Sequence, residues 1–191
     1  MDHNVIDYII RMDLVSKKIA VEVKIMLLYF PTKFDENEWT VILIIIFNIL
    51  LFRFLPKRLP KEITPLIVLL SISFPQIIDH TIGAAPHNYY DITDSKKLEL
   101  FDILLYAGYP AFGYLFVYVF DWFHFEKIKL ILYFITWSVF AAMFEFCLVK
   151  LHVYQYNGWK LIFSIPIYLI VLSITYLFYQ FAISYNQKNH N

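Results

Sequence analysis

LIFSIPIYLIVLSITYLFYQFAI, residues 161–183, runs for 23 positions without an Asp, Glu, Lys or Arg. As a helix rising about 1.5 Å per residue, it outreaches the roughly 30 Å hydrocarbon core of a bilayer, which about 20 apolar residues cross. Four more runs obey the same rule. Leu130–Val149 is broken only by Glu145, and Ile103–Phe120 carries no charge. Ile63–Ile78 carries none and continues through weakly polar residues to Ala85. Trp39–Phe52 carries none and extends to Leu55 when Arg53 snorkels toward the headgroups. Backbone groups in lipid must be satisfied within the segment, so runs of this kind are helices. The expected spans are 39–55, 63–84, 101–121, 129–149 and 161–183, together forming one transmembrane domain over 39–185.

The composition agrees with these runs. Of 191 residues, 60% are hydrophobic, 20% aromatic and 17% charged, and the mean hydropathy is +0.58. Soluble domains average roughly 45–50% apolar and about 25% charged. Disordered, collagenous and disulfide-stapled classes are excluded, and an ordinary soluble enzyme is not expected. Sixteen basic residues balance sixteen acidic ones, so the basic excess of a nucleic-acid binder is absent. Cys147 is the only cysteine, which rules out an intramolecular disulfide.

The N-terminus reads differently. Asp2, Asp7 and Asp13 interrupt it too early for a cleaved signal, and entry into the membrane uncleaved is expected. Val5, Ile9, Met12, Ile19, Val23, Met26 and Phe30 share one helical face, while Asp7, Arg11, Lys18 and Glu22 line another. Residues 1–34 are therefore expected to form an amphipathic helix lying on the membrane surface, or one packed on a partner. The fold class is an all-α integral membrane protein: a five-helix transmembrane bundle with an N-terminal amphipathic interfacial helix, multi-pass in the cell membrane. Arg53, Lys57, Arg58 and Lys61 form the densest basic cluster and favour a cytoplasmic first linker. Nine Lys and Arg fall on the opposite side against seven on this one, so the orientation stays open.

Successive spans alternate direction. The end of span two, the start of three, the end of four and the start of five therefore share one face, whichever way the chain points. That face collects Asp79, His80, Asp102, Glu145, His152, Ser164 and Tyr168. Helical spacing adds polar or small stripes: Ser73, Gln76, His80 and Gly83; Asp102, Tyr106, Tyr109 and Gly113; Ser138, Ala141, Ala142 and Glu145; and Ser164, Tyr168, Thr175 and Tyr179. Such stripes pack helices closely and hydrogen-bond between them. Asp79, His80, Asp102, Glu145, Tyr106 and Gln76 are the candidate residues of a one-sided acidic pocket. Glu145, a carboxylate inside a span, has to pair with a cation, protonate or reach a wet cavity. Pinning the helices through an interhelical hydrogen bond is its structural alternative.

The loop DHTIGAAPHNYYDITD, residues 79–94, brings His80, His87 and Asp91 near one another as candidate metal ligands. Their spacing matches no established motif, so neither a metal nor another cofactor is expected. Asp94 and Ser95 are candidate caps for the next helix. Tyr89, Tyr90, Trp122, Tyr154, Tyr156 and Trp159 read as an interfacial aromatic belt.

EFCLVKLHVYQYNGW, residues 145–159, resembles the end of the fourth span in a family of small multi-pass membrane proteins from Bacillus- and Clostridium-type Firmicutes. Glu145, Phe146, Leu148, Lys150, Tyr156 and Trp159 match that pattern. FDILLY, residues 101–106, and Asp79 within IIDH look similar to it as well. The family often places a second acid just before the lysine, where Val149 stands in this chain. The resemblance covers about residues 63–180. It implies topology and lineage, since the family has no assigned activity.

Three functions are compatible with this reading. The first is an acidic pocket that binds a cation, a proton or a lipid headgroup. The second is an intramembrane lipid-modifying enzyme with Glu145 or Asp79 as general base and His80 as partner. The third is an assembly subunit that docks through its N-terminal helix. The expected partners are membrane lipids, with a second copy or another membrane protein as further candidates.

Overall fold

A computed structural model describes residues 11–13, 16, 30–31, 33–83, 86–92 and 99–190. Most of the expected amphipathic segment, and the Asp94–Ser95 cap, lie outside the described residues. Of the described residues, 76% are helical. In chain order the elements are α1 (Glu36–Phe54), α2 (Thr64–Ile78), β1 (Tyr90–Ile92), α3 (Leu100–Tyr106), α4 (Tyr109–Phe123), α5 (Lys127–Lys150), β2 (Tyr154–Tyr156) and α6 (Leu161–His190). Five helical segments among the described residues are long and apolar enough to cross a membrane: Glu36–Phe54, Thr64–Gly83, Leu100–Phe123, Lys127–Lys150 and Leu161–Lys188.

Local chemistry sets the ends of α1. Asp35 caps it, accepting from the Asn37 N–H at 3.3 Å, while Glu38 reaches back to the Asp35 N–H at 2.9 Å. This reciprocal box satisfies donors that a helix start leaves open. The helix therefore begins at Glu36, ahead of the charge-free run. Pro56 follows its last turn, where no helix hydrogen bond can be donated.

The expected third span is two helices. α3 stops at Tyr106, Ala107 and Gly108 turn, and α4 restarts with Pro110 in its first turn. Asn48 of α1 repairs the break. Its amide nitrogen donates to the Gly108 carbonyl at 2.9 Å and to the Ile44 carbonyl at 3.0 Å, and its oxygen accepts the Ala111 N–H at 2.8 Å. A buried asparagine is thereby used at both ends. A side chain at Gly108 would strike Ile44, with its Cβ only 2.6 Å from Ile44 Cγ2.

An all-α reading misses one feature. The two loops at the same end of the helices pair as a two-stranded antiparallel sheet, with Tyr90 opposite Tyr156, Asp91 opposite Gln155 and Ile92 opposite Tyr154. The Asn157 N–H donates to the Tyr89 carbonyl at 2.7 Å and the Trp159 N–H donates to it at 3.2 Å. Gly158 takes a φ of 110°, a conformation open to glycine, and so turns the chain into α6.

Two apolar clusters hold the helices together. Ile63, Ile67, Phe116, Val117, Phe120, Tyr133, Leu172 and Tyr179 form one, and Val41, Phe101, Leu105, Leu148 and Val153 form the other. Outside them the helices stay apolar: Leu43 is 63% exposed, Leu132 56% and Leu177 63%.

Candidate binding cavity

A cavity of about 140 Å³ opens where α2, α4, α5, α6 and the sheet converge. Pro75 lacks the N–H that would bond the Ser71 carbonyl, and beyond Ile78 the helix widens into a π turn over Asp79–Gly83. Single π turns recur where a helix must present a side chain off its regular path. Here the turn begins at Asp79, which lines the cavity with Ser71, Phe74 and Ile78. α4 contributes Tyr109, Phe112 and Gly113, and α5 contributes Glu145. The strands add Tyr90, Tyr154 and Tyr156, and Trp159, Ser164 and Tyr168 close the wall.

Each carboxylate is wrapped in hydroxyl groups. Glu145, buried, accepts from Tyr156 and from Ser164 at 2.8 Å on Oε1, and from Tyr168 at 2.6 Å on Oε2. The Trp159 indole N–H donates to Ser164 Oγ at 2.9 Å. Indole nitrogen is a donor only, so hydrogen bonding is directed from Trp159 through Ser164 to Glu145. Asp79 accepts from Tyr90 at 2.6 Å and from Tyr106 at 2.9 Å. The Tyr109 and Tyr154 hydroxyls bond to each other. Burial, reinforced by Asp79, raises the Tyr90 phenol far above its ordinary range. Burial also raises Tyr154 and Tyr156, which are reinforced by Tyr109 and Glu145 respectively. These three phenols therefore keep their protons and remain donors. Among the described residues, neither Asp79 nor Glu145 forms an ion pair with Lys, Arg or His.

The structure brings Asp79 and Glu145 to one cavity and places Tyr106 behind Asp79. It distributes the other candidates elsewhere. Asp102 is buried at the start of α3, where its carboxylate accepts the Glu99 N–H at 2.7 Å as half of a capping box. His80 is exposed, with Nδ1 2.7 Å from the Gln76 carbonyl oxygen, and does not line the cavity. Gln76 and Ser73 are exposed too. Ser73, Gln76 and His80 of the α2 stripe thus face outward, while Ser71, Pro75 and Ile78 on the other side of the helix line the cavity. The His80–carboxylate dyad of the enzyme reading is not assembled.

His87 is exposed and stacks on Tyr89 with centroids 5.8 Å apart, and Asp91 accepts from Asn157. Among the described residues, no three His, Cys, Asp or Glu side chains converge as metal ligands. Four residues of the expected aromatic belt, Tyr90, Tyr154, Tyr156 and Trp159, are cavity wall instead. A sequence signal for part of this exists in YQY, residues 154–156. A strand places its first and third side chains on one face. Three of the residues that carry the resemblance to the Firmicutes family, Glu145, Tyr156 and Trp159, meet here although they are spread over fifteen positions.

Comparison with protein-family models, with curated proteins and with solved structures finds no match to this chain.

Proposed function

We propose that this is a multi-pass protein of the cell membrane whose five long helices span the bilayer and whose acidic cavity binds a positively charged ligand. The single observation that carries the binding reading is the cavity's charge arrangement. Asp79 and Glu145 line one space, and each is contacted by hydroxyl donors without a paired cation among the described residues. Two carboxylates at that depth are costly in a low-dielectric setting. A ligand cation offsets the cost, and the hydroxyls hold both groups in place before it arrives. The membrane reading rests on the five apolar helices and on the large apolar side chains they leave exposed, among them Leu43, Phe47, Leu132, Phe140, Ile170 and Leu177. Kinship with the Firmicutes family belongs to the same proposal, since residues that carry the resemblance surround the cavity.

Thermal unfolding of the detergent-solubilised chain tests the reading. Potassium, calcium, ethylammonium and tetramethylammonium chlorides are each exchanged, at constant chloride, for N-methylglucammonium, a bulkier reference cation. A cation bound only by the folded state stabilises by about 2.7 kcal/mol at one hundred times its Kd. At least one of the four is expected to stabilise the wild type in a saturable way, and Asp79→Asn and Glu145→Gln to lose that response. A wild type indifferent to all four overturns the reading.

A further inference from the structure

We infer that the ligand of this cavity is a small quaternary ammonium ion, held by tyrosine and tryptophan rings with the two carboxylates beside them in the wall. The inference rests on the cation-binding reading above and names the ligand class for it. Size is the first argument. The cavity measures about 140 Å³, and a space of about 150 Å³ takes up a molecule as large as benzene. A dehydrated metal ion would leave most of that volume empty.

The second argument is the ligand chemistry of the walls. A hard cation needs bare oxygens converging on one point. Here both Glu145 oxygens and both Asp79 oxygens already accept hydroxyl protons. Of about eight acceptor sites on the two carboxylates five are taken, so the acids supply charge with few bare oxygens left for a coordination sphere. A cation that carries no N–H, and so requires no acceptor, suits such a site.

The third argument is aromatic. Tyr90, Tyr109, Tyr154, Tyr156, Tyr168 and Trp159 all line the space. Aromatic cages of this kind are the common recognition mode for methylated nitrogen. A phenol that donates to a carboxylate is polarised toward the anion, which enriches its ring in electron density. Tyr90, Tyr156 and Tyr168 are in that state, so the hydrogen bonds that occupy the acids also strengthen the rings. Phe74, Phe112 and Leu172, which also line the space, give methyl groups apolar wall to pack against.

Isothermal titration calorimetry on the solubilised full chain separates this inference from the one it rests on. The probes are choline, its neutral isostere with a quaternary carbon in place of nitrogen, ethylammonium, potassium and calcium. Choline is expected to bind saturably, more tightly than the other cations, and the isostere not to bind. Trp159→Leu is expected to weaken choline by roughly tenfold, and Trp159→Phe, which keeps a ring, to restore much of it. Both variants are first matched to wild type by their unfolding in the absence of ligand. If the unfolding of either differs, Tyr109→Leu and Tyr109→Phe replace the pair. Tighter binding of ethylammonium, potassium or calcium overturns the quaternary assignment and leaves a cation site standing. Equal binding of choline and its isostere, or binding by none of the probes, overturns both.

Discussion

Glu145 concentrates the question this protein poses, because its surroundings are committed before any ligand enters. Three hydroxyls point at it, and one of them, Ser164, is itself oriented by the Trp159 indole. A hydrogen bond to a charged acceptor contributes about 1.5–3 kcal/mol and one to a neutral acceptor about 1 kcal/mol. Ser164→Ala is therefore expected to lower stability by about 2 kcal/mol in wild type and by about 1 kcal/mol in a Glu145→Gln background, since the amide is neutral. Unfolding of the four proteins in one detergent measures the difference. Equal costs in both backgrounds would mean that Glu145 carries no charge in the folded protein. Glu145 and Asp79 stand out in the sequence because a carboxylate in or beside an apolar run has to be paired, protonated, hydrated or hydrogen-bonded. Tyr156 and Trp159 do not stand out, because aromatic residues near a predicted membrane boundary have an ordinary explanation as an interfacial belt. Their hydroxyl and ring partners lie on other elements, and no local pattern records that. His80 fails in the opposite direction. It looks functional beside Asp79, yet an i−4 carbonyl within its own helix answers its ring nitrogen.

At the scale of elements, close approach between α2 and α4 fixes the width of the cavity. Gly113 meets Ser71 where both line it. A Cβ built on Gly113 would lie 2.9 Å from Ser71 Cβ and would overlap Ser71 Oγ. Gly113→Ala is expected to destabilise by about 1–3 kcal/mol, the usual cost of overpacking. Ser71→Gly alone is expected to cost roughly 0.5–1 kcal/mol as a helix-interior glycine. Combined, the two changes are expected to cost less than Gly113→Ala alone, because the second removes both atoms that the first strikes. Additive losses in thermal unfolding would show that the helices do not meet at this pair. The long helices are legible from charge-free length alone. The break at Ala107–Gly108 and the paired strands are not. The break depends on Asn48, which is 63 positions from the Ala111 N–H it accepts. Each strand is three residues long, too short for an alternation to register, and its partner lies across three helices. A glycine next to a tyrosine–proline step hints at the first, and Tyr-Gln-Tyr hints at the second.

For the whole molecule, the two ends of the helices carry different chemistry. One end holds the sheet, the two acids and the cavity. At the other, the Arg58 guanidinium donates to the Asp121 carboxylate at 2.6 Å and to the Asp121 carbonyl at 3.1 Å. Tyr179 donates to the same carboxylate at 2.5 Å, and Arg58 stacks over Trp122 with 5.0 Å from Cζ to the ring centroid. Here Arg58 and Asp121 satisfy each other and tie the first linker to α4, with Tyr179 of α6 joining them, whereas Asp79 and Glu145 at the cavity end have no ion-pair partner among the described residues. The alternating direction of the five long helical segments places these groups at opposite ends, which is why the sequence reveals the asymmetry. If five segments cross the bilayer, the linker after α1 and the C-terminal end of α6 share one side, and the loop before β1 lies on the other. Lys57, Gln187 and His87 are exposed reporters of these three places. In a Cys147→Ser background, Lys57→Cys and Gln187→Cys are expected to react with a membrane-impermeant maleimide from one side of sealed vesicles, and His87→Cys only from the other. Labelling of all three from the same side would remove the membrane crossing on which the shared-face argument depends. A split between Lys57 and Gln187 would instead mean that the number of crossings between them is odd. Where the odd count comes from the α3–α4 segment or from α5, the ends of α2 and α5 would not share a membrane face, and the joint cavity of Asp79 and Glu145 would lose its topological basis.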